Sequence, residues 1–327
     1  MDWSFVFMIV WFSLAAYSVI ANDSIQTLGT FLESNKKIAW WKLAFAASTI
    51  AVIVIVWSWV ATGWDISRGR LTTKGIPFPE AFTIWHAIAP LWLMLLTRYG
   101  IPVSTSLLIL SVFATSSTIT KMVSKSMLGY VIAFLVAYVL WFCVVRIYEN
   151  RRGKITSASR YTALGNMVNR QYLQWLSTWY LWSVWLMHDM ANIAVYLPRT
   201  LNIWYLLFTL VLIVWWLFYI FWRWGGKIQD VVSSKTDTQY IKAATLIDFV
   251  YACVLLYFKE LNSVPMSTTW VFIWLLAGRE LALSHFKDHW LDLKVVFPMI
   301  FKDFAKVLFW LIISVWLALA VGAVSGW

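Results

Sequence analysis

The chain of 327 residues is 61% hydrophobic and carries 25 Trp, whereas only 13% of its residues are charged. That is more apolar surface than the core of a water-soluble protein of this length can bury. The composition therefore excludes a soluble globular protein and predicts a chain embedded in a lipid bilayer.

The net charge of +11 does not indicate a nucleic-acid partner. The basic residues lie in short segments between apolar runs, a distribution that orients membrane proteins. Cys143 and Cys253 lie inside apolar runs and have no metal or redox spacing. We therefore expect no bound cofactor and no nucleic acid, with the lipid bilayer as the main partner.

Segments with few or no charged residues recur from one end of the chain to the other. Because a spanning helix needs about 20 apolar residues, we expect about ten membrane-embedded segments. Helices are expected throughout, since the segments are too long and too unalternating for barrel strands. The predicted fold class is an all-α polytopic membrane protein. The predicted segments are 3–22, 43–63, 81–97, 99–120, 127–145, 171–188, 203–222, 243–258, 261–278 and 307–327.

Two kinds of short polar element recur in the same order. The stretch "ANDSIQTLGT" contains Asp23, and Ser104 of a Pro-x-Ser-Thr element follows 81 residues later. The stretch "HDMANIAV" contains Asp189, and Ser267 of a second Pro-x-Ser-Thr element follows 78 residues later. An internal repeat of this size is typical of secondary transporters.

The repeat predicts two transmembrane halves, residues 1–150 and 171–327, joined by a basic linker at 151–170. The third and fourth segments of each half form either a re-entrant hairpin or two crossings, so each half crosses an odd number of times. The second half is therefore predicted to be inverted. Loops on the linker side hold 18 Lys and Arg, against six on the other side. We expect the protein to lie in the cell (inner) membrane. The positive-inside rule places the linker on the cytoplasmic side of that membrane and both termini on the outer side.

The Pro-x-Ser-Thr elements predict an anion site. Pro102 and Pro265 are expected to begin helices inside the membrane, because proline suits the first helical turn. Free N–H groups at a helix N-terminus attract anions, and two such termini would surround one oxyanion. We expect this site to be built largely without Arg or Lys. The hydroxyl residues predicted to line it are Ser104, Thr105, Ser106, Ser267, Thr268 and Thr269.

Two carboxylates end charge-free runs. An ionisable side chain at that depth usually marks a functional site, so Asp23 and Asp189 are predicted to bind a cation or carry a proton. An interfacial helix cap is the alternative for Asp23. The neighbouring amides of Asn22, Gln26 and Asn192 add oxygen ligands that Na⁺ accepts. The Na⁺ candidates are thus Asn22, Asp23, Asp189 and Asn192, with Gln26 beside them.

Two further groups have alternative interpretations. His188 is either a proton-coupling residue beside Asp189 or a neutral side chain bonded within the helix bundle. Asp248 either belongs to the site or makes an interhelical hydrogen bond. The sequence has no P-loop and no Gly-x-Gly-x-x-Gly loop, which argues against ATP-driven transport within this chain.

These elements resemble the inorganic phosphate transporter (PiT) family. Each half of that family carries a Gly-x-Asn-Asp-x-x-Asn element and a Pro-Val-Ser-Thr-Thr-His element, to which "IPVSTS" (101–106) and "VPMSTT" (264–269) are similar. "GGKIQDVVSSKT" (225–236) is similar to the stretch after the second repeat's first element. The resemblance implies that phosphate is held at 104–106 and 267–269. It also implies that Asp23 with Gln26, and Asp189 with Asn192, complete the phosphate and cation sites.

The chain departs from the family pattern at several positions. Ile20 and Leu186 replace the glycines, Gln26 and His188 replace asparagines, and the motif histidines are absent. The resulting expectation is a non-enzymatic symporter that imports phosphate with Na⁺. Sulfate or another oxyanion and H⁺ coupling are the alternatives. A membrane-embedded enzyme using Asp189 and His188, a non-transporting scaffold or receptor, and a homodimer also remain open.

Overall fold

The computed structural model describes residues 3–73, 75–101, 103–152, 163–236, 241–261 and 267–284, with single helical residues and short helical runs between 294 and 320. Within these residues the chain is all-helical and contains no strand. Pro102, Pro265, half of the predicted linker and much of the predicted last segment lie outside the described residues.

Long apolar helices alternate with short helical pieces. The π-helical turns are Ile20–Ser24 and Leu256–Leu261, and the 3₁₀ turns are Ile84–Ala87 and Ser111–Phe113. The α-helices of the described residues are α1 (Trp3–Val19), α2 (Ile25–Ser34), α3 (Trp40–Ala61), α4 (Arg70–Thr73), α5 (Ile88–Arg98), α6 (Thr105–Leu110), α7 (Ser116–Arg152), α8 (Ala163–Asp189), α9 (Ala191–Ala194), α10 (Ile203–Trp222), α11 (Gly226–Thr236), α12 (Ile241–Leu255) and α13 (Thr268–Ser284).

Among the described residues, four stretches are long and apolar enough to cross a membrane: Trp3–Ser34, Trp40–Ala61, Ser117–Cys143 and Ile203–Trp222. The outer surface of Ile203–Trp222 exposes 76% of Trp204 and 66% of Trp215. Such large apolar surfaces face lipid rather than water. The predicted all-α polytopic membrane fold is confirmed, whereas the expected number of about ten embedded segments stays a prediction.

Helices α3 and α10, which hold corresponding positions in the two halves, run antiparallel. The ring of Trp40 at the start of α3 lies 6.4 Å from that of Phe218 near the end of α10. At the other end of α3, Trp59 Nε1 donates to the Leu201 carbonyl just before α10 (2.9 Å). This orientation is what an inverted repeat requires. Insertion of the two halves in opposite directions stays a prediction.

The helices of the third and fourth predicted segments, α5 and α6, are short. Helix α5 has 11 residues and α6 has 6, so each covers about half or less of a bilayer core of roughly 30 Å. Gly100, whose φ is +70°, makes the turn that follows α5. These lengths favour the re-entrant hairpin over two crossings. The second pair is longer, since α12 has 15 residues and α13 has 17.

Candidate functional site

The first intramembrane carboxylate lies on a break in a helix. The π-helical turn Ile20–Ser24 separates α1 from α2 inside the long span Trp3–Ser34. Such turns are frequent at functional sites. Asn22 Nδ2 donates to Asp23 Oδ1 (2.7 Å) and to the Val103 carbonyl (2.9 Å). Asp23 is only 1% exposed, so the structure places it in the protein interior rather than at an exposed helix end.

The second carboxylate lies on the corresponding break of the other half. Helix α8 ends at Asp189, and the short helix α9 begins two residues later. Asn192 Nδ2 lies 3.4 Å from Asp189 Oδ1 and 3.4 Å from Thr105 Oγ1. The side chain of Asn192 therefore connects the second break to the first hydroxyl element.

The first hydroxyl element contacts both carboxylates. Ser104 caps α6, and its Oγ accepts a hydrogen bond from Leu107 N (3.2 Å). Thr105 Oγ1 donates to Asp23 Oδ2, and Ser106 Oγ donates to Asp189 Oδ1 (3.3 Å). Three consecutive hydroxyls thus cap a helix and join the two halves.

The second hydroxyl element meets the first at one carbonyl group. Thr269 Oγ1 donates to the Val103 oxygen (2.9 Å), which also accepts from Asn22. Ser267 N donates to Tyr130 Oη (3.0 Å), and Tyr251 Oη donates to the Thr268 carbonyl (2.7 Å). The structure therefore brings the two predicted elements together at the Val103 carbonyl.

The side chains of the two helix breaks and the two hydroxyl elements together form what we call the cluster. Several of its polar atoms have no hydrogen-bond partner among the described residues. Their side chains are at most 2% exposed. Buried polar groups are nearly always paired, because an unpaired one costs free energy. A polar ligand bound among these atoms would supply the missing partners. The atoms are Asn22 Oδ1, Gln26 Oε1, Gln26 Nε2, Asn192 Oδ1 and Thr268 Oγ1.

A buried lysine corrects the expectation of a site largely without Arg or Lys. Lys259 Nζ lies 2.8 Å from both carboxylate oxygens of Asp189, and both side chains are 2% exposed. The π-helical turn Leu256–Leu261 carries Lys259 into the cluster. In the sequence, Lys259 and Glu260 form a charged pair just before the second hydroxyl element. This pair could have indicated a buried charge, but charged residues in an exposed loop look the same in a sequence.

A charged layer lies next to Lys259. Glu260 pairs with Arg68 (3.1 Å) and with Arg70 (3.4 Å), and Arg70 Nη2 donates to the Lys259 carbonyl (2.7 Å). His188 Nδ1 lies 3.5 Å from Glu260 Oε2. The predicted proton-coupling residue thus faces Glu260 of this layer. We call these four side chains, those of Arg68, Arg70, His188 and Glu260, the arginine layer.

Asp248 forms a second layer on the other side of the cluster. Thr30 Oγ1 donates to its Oδ1 and Thr178 Oγ1 to its Oδ2, both at 2.6 Å. The hydroxyls come from α2 and α8, one from each half, so the interhelical hydrogen bond expected as an alternative is confirmed. We call this group the Asp248 layer.

Comparison with known proteins supports the fold. No protein-family model and no curated protein sequence matches the chain. A solved structure described as the sodium-dependent phosphate transporter is similar to it, with a TM-score of 0.65 and 17% sequence identity over 99% of both chains. At this identity the match shows the fold alone. The chain therefore shares its overall fold with that transporter structure.

Proposed function

We propose that this protein is a secondary transporter that imports inorganic phosphate together with Na⁺. The main support is structural: both hydroxyl elements meet at the Val103 carbonyl, directly beside Asp23. The sodium-dependent phosphate transporter with the same fold supports the choice of substrate and ion. A transporter also fits the expectation that the chain is not an enzyme.

Phosphate would be held by neutral donors. The Ser and Thr hydroxyls of the two elements and the side-chain amide of Gln26 can donate hydrogen bonds to phosphate oxygens. Gln26 Nε2 has no partner among the described residues. A phosphate that retains a proton can also donate to Asp23, whereas sulfate has no proton to donate at neutral pH. This difference favours phosphate over sulfate at a site that contains carboxylates.

Na⁺ would bind next to the anion. The Asp23 carboxylate and Asn22 Oδ1 are hard oxygen ligands from adjacent residues, and Asn22 Oδ1 has no hydrogen-bond partner in the described part of the chain. The positive ion would offset the charge of the neighbouring phosphate. Each solute would therefore raise the affinity for the other, which is the basis of coupled transport.

The two layers described above would act as gates. The arginine layer connects the loop before α4 to the turn after α12, and the Asp248 layer connects α2 to α8. The hydroxyl, amide and carboxylate side chains between them are at most 6% exposed, so the conformation is closed. Alternating access would break one layer at a time. In the proposed orientation the arginine layer is outside, and the linker and the Asp248 layer face the cytoplasm of the inner membrane.

Transport by the purified chain in liposomes tests the proposal. We expect radiolabelled phosphate to accumulate under an inward Na⁺ gradient and not when K⁺ replaces Na⁺. An inward H⁺ gradient without Na⁺ should give no uptake, and excess sulfate should not compete. Uptake of sulfate in place of phosphate would contradict the substrate, and uptake driven by H⁺ alone would contradict the coupling ion.

A further inference from the structure

Asp23 and Asp189, the carboxylates at the two helix breaks, differ in their partners among the described residues: Asp189 forms an ion pair and Asp23 does not. Asp189 receives the ammonium of Lys259 at 2.8 Å on both oxygens, and its Oδ1 also lies within 3.4 Å of the Ser106 hydroxyl and the Asn192 amide. Asp23 receives hydrogen bonds from the neutral side chains of Asn22 and Thr105. Within the described residues, no Lys or Arg side chain forms an ion pair with Asp23.

We propose that the Lys259 ammonium is a built-in cation for Asp189, so that this carboxylate needs no Na⁺ and the site takes one Na⁺, at Asp23. The inference rests on the proposed function and deepens it. Asp189 Oδ1 already faces three donors and Oδ2 faces the ammonium, so the ammonium occupies the place beside both oxygens that a metal ion would take. The free oxygen of Asn22, next to Asp23, is a ligand of the type Na⁺ accepts.

The charge of the cluster agrees with one cation. Before phosphate binds, the carboxylates of Asp23 and Asp189 and the ammonium of Lys259 leave a single negative charge, and one monovalent ion neutralises it. Without Lys259, two carboxylates would need two cations or two protons. In the hairpin of the first half the basic residue is Arg98 at the end of α5, and its side chain is exposed rather than buried beside a carboxylate.

The alternative role for Lys259 is direct binding of phosphate. In that case its ammonium would leave Asp189 when the anion enters, and its loss would weaken phosphate binding without changing the number of Na⁺ ions. The two roles therefore differ in the stoichiometry of Na⁺, which can be measured without any transport.

The test is equilibrium binding of radioactive Na⁺ to the purified full chain, with Lys259→Met compared with the wild type. We expect the wild type to bind one Na⁺ per chain and Lys259→Met to bind two. In liposomes, the Na⁺ activation curve of Lys259→Met should become steeper. Its uptake at the wild type's half-saturating Na⁺ concentration should fall about tenfold or more, because a buried charge has lost its partner.

Two further variants test the same role of Lys259 if Lys259→Met does not fold. Asp189→Asn leaves the ammonium without its carboxylate near Asp23, and we expect Na⁺ affinity to fall about tenfold or more. The double variant with both changes removes both charges and should bind one Na⁺ again. Arg98→Met, which removes an exposed charge at the corresponding hairpin, is the control and should bind Na⁺ like the wild type.

An unchanged Na⁺ stoichiometry in Lys259→Met, with only the KM for phosphate raised, would overturn the inference and make Lys259 a phosphate ligand. Unchanged Na⁺ affinity in Asp189→Asn would overturn it as well. A wild type that binds one Na⁺ but transports no phosphate would contradict the proposed function and leave the inference standing.

Discussion

Asp23 is the residue on which the proposed coupling depends most. It is 1% exposed, it accepts from Asn22 and Thr105, and it lies where the two halves meet. Because its charge has no partner of opposite sign among the described ion pairs, a bound cation would contribute most of the compensation. The side chain therefore offers a sharp test at the scale of single residues.

We expect Asp23→Asn to lower Na⁺-driven phosphate uptake by about tenfold or more, since the amide keeps the size but loses the charge that attracts the cation. Initial rates in liposomes measure the effect. Asp230→Asn is the matched control, because the Asp230 side chain is 74% exposed, and it should leave the rate unchanged. Equal rates for both variants would show that Asp23 does not bind the coupling ion.

The sequence revealed part of the site and missed the rest for physical reasons. The carboxylates and hydroxyls were predictable, because ionisable groups and Pro-x-Ser-Thr elements stand out in apolar segments. The Val103 carbonyl was not, since any residue supplies a backbone oxygen. The role of Lys259 was not predictable either, because only the π-helical turn places its ammonium beside Asp189.

At the scale of helices, the Asp248 layer connects α2, α8 and α12. We expect Thr30→Val to lower the free energy of unfolding by about 1–3 kcal/mol, because a buried acceptor loses its hydroxyl donor while the side chain keeps its shape. Thermal unfolding in detergent measures the change. Thr49→Val removes a hydroxyl that bonds only within α3 and is exposed, so it should have little effect.

A second helix contact depends on the absence of a side chain. A Cβ added at Gly278 of α13 would overlap the Phe134 carbonyl of α7 and lie 3.0 Å from Tyr138 N. We expect Gly278→Ala to separate α7 and α13 and to cost about 1–3 kcal/mol in the free energy of unfolding.

The same thermal assay measures this change, with Ala277→Ser as the control. Ala277 is partly exposed, so this substitution should be tolerated. An unaltered unfolding temperature in Gly278→Ala would mean that the two helices do not pack as described.

The predicted orientation of the whole molecule in the membrane follows from the distribution of its Lys and Arg residues. With Cys143 and Cys253 replaced by Ser, we expect a single cysteine introduced at Ser157 in the linker to react with an impermeant thiol reagent only in opened cells. A cysteine at Ser4 should react in intact cells. The reverse pattern would invert the proposed orientation and make the arginine layer cytoplasmic.

Composition and repeats predicted the membrane fold and the pairing of the two halves. They did not predict that the helices of the first hairpin, α5 and α6, are shorter than α12 and α13 of the second. The reason is that both pairs lie in apolar stretches of similar length. Helix ends inside such stretches depend on turns such as Gly100 and on packing between distant segments.

The proposed function requires one anion to lie between the two hydroxyl elements beside Asp23. A crystal structure with arsenate, a phosphate analogue that scatters anomalously, would locate that anion. We expect one anomalous peak within hydrogen-bonding distance of hydroxyls from both 104–106 and 267–269. A peak elsewhere, or contacts with only one of the two elements, would contradict it.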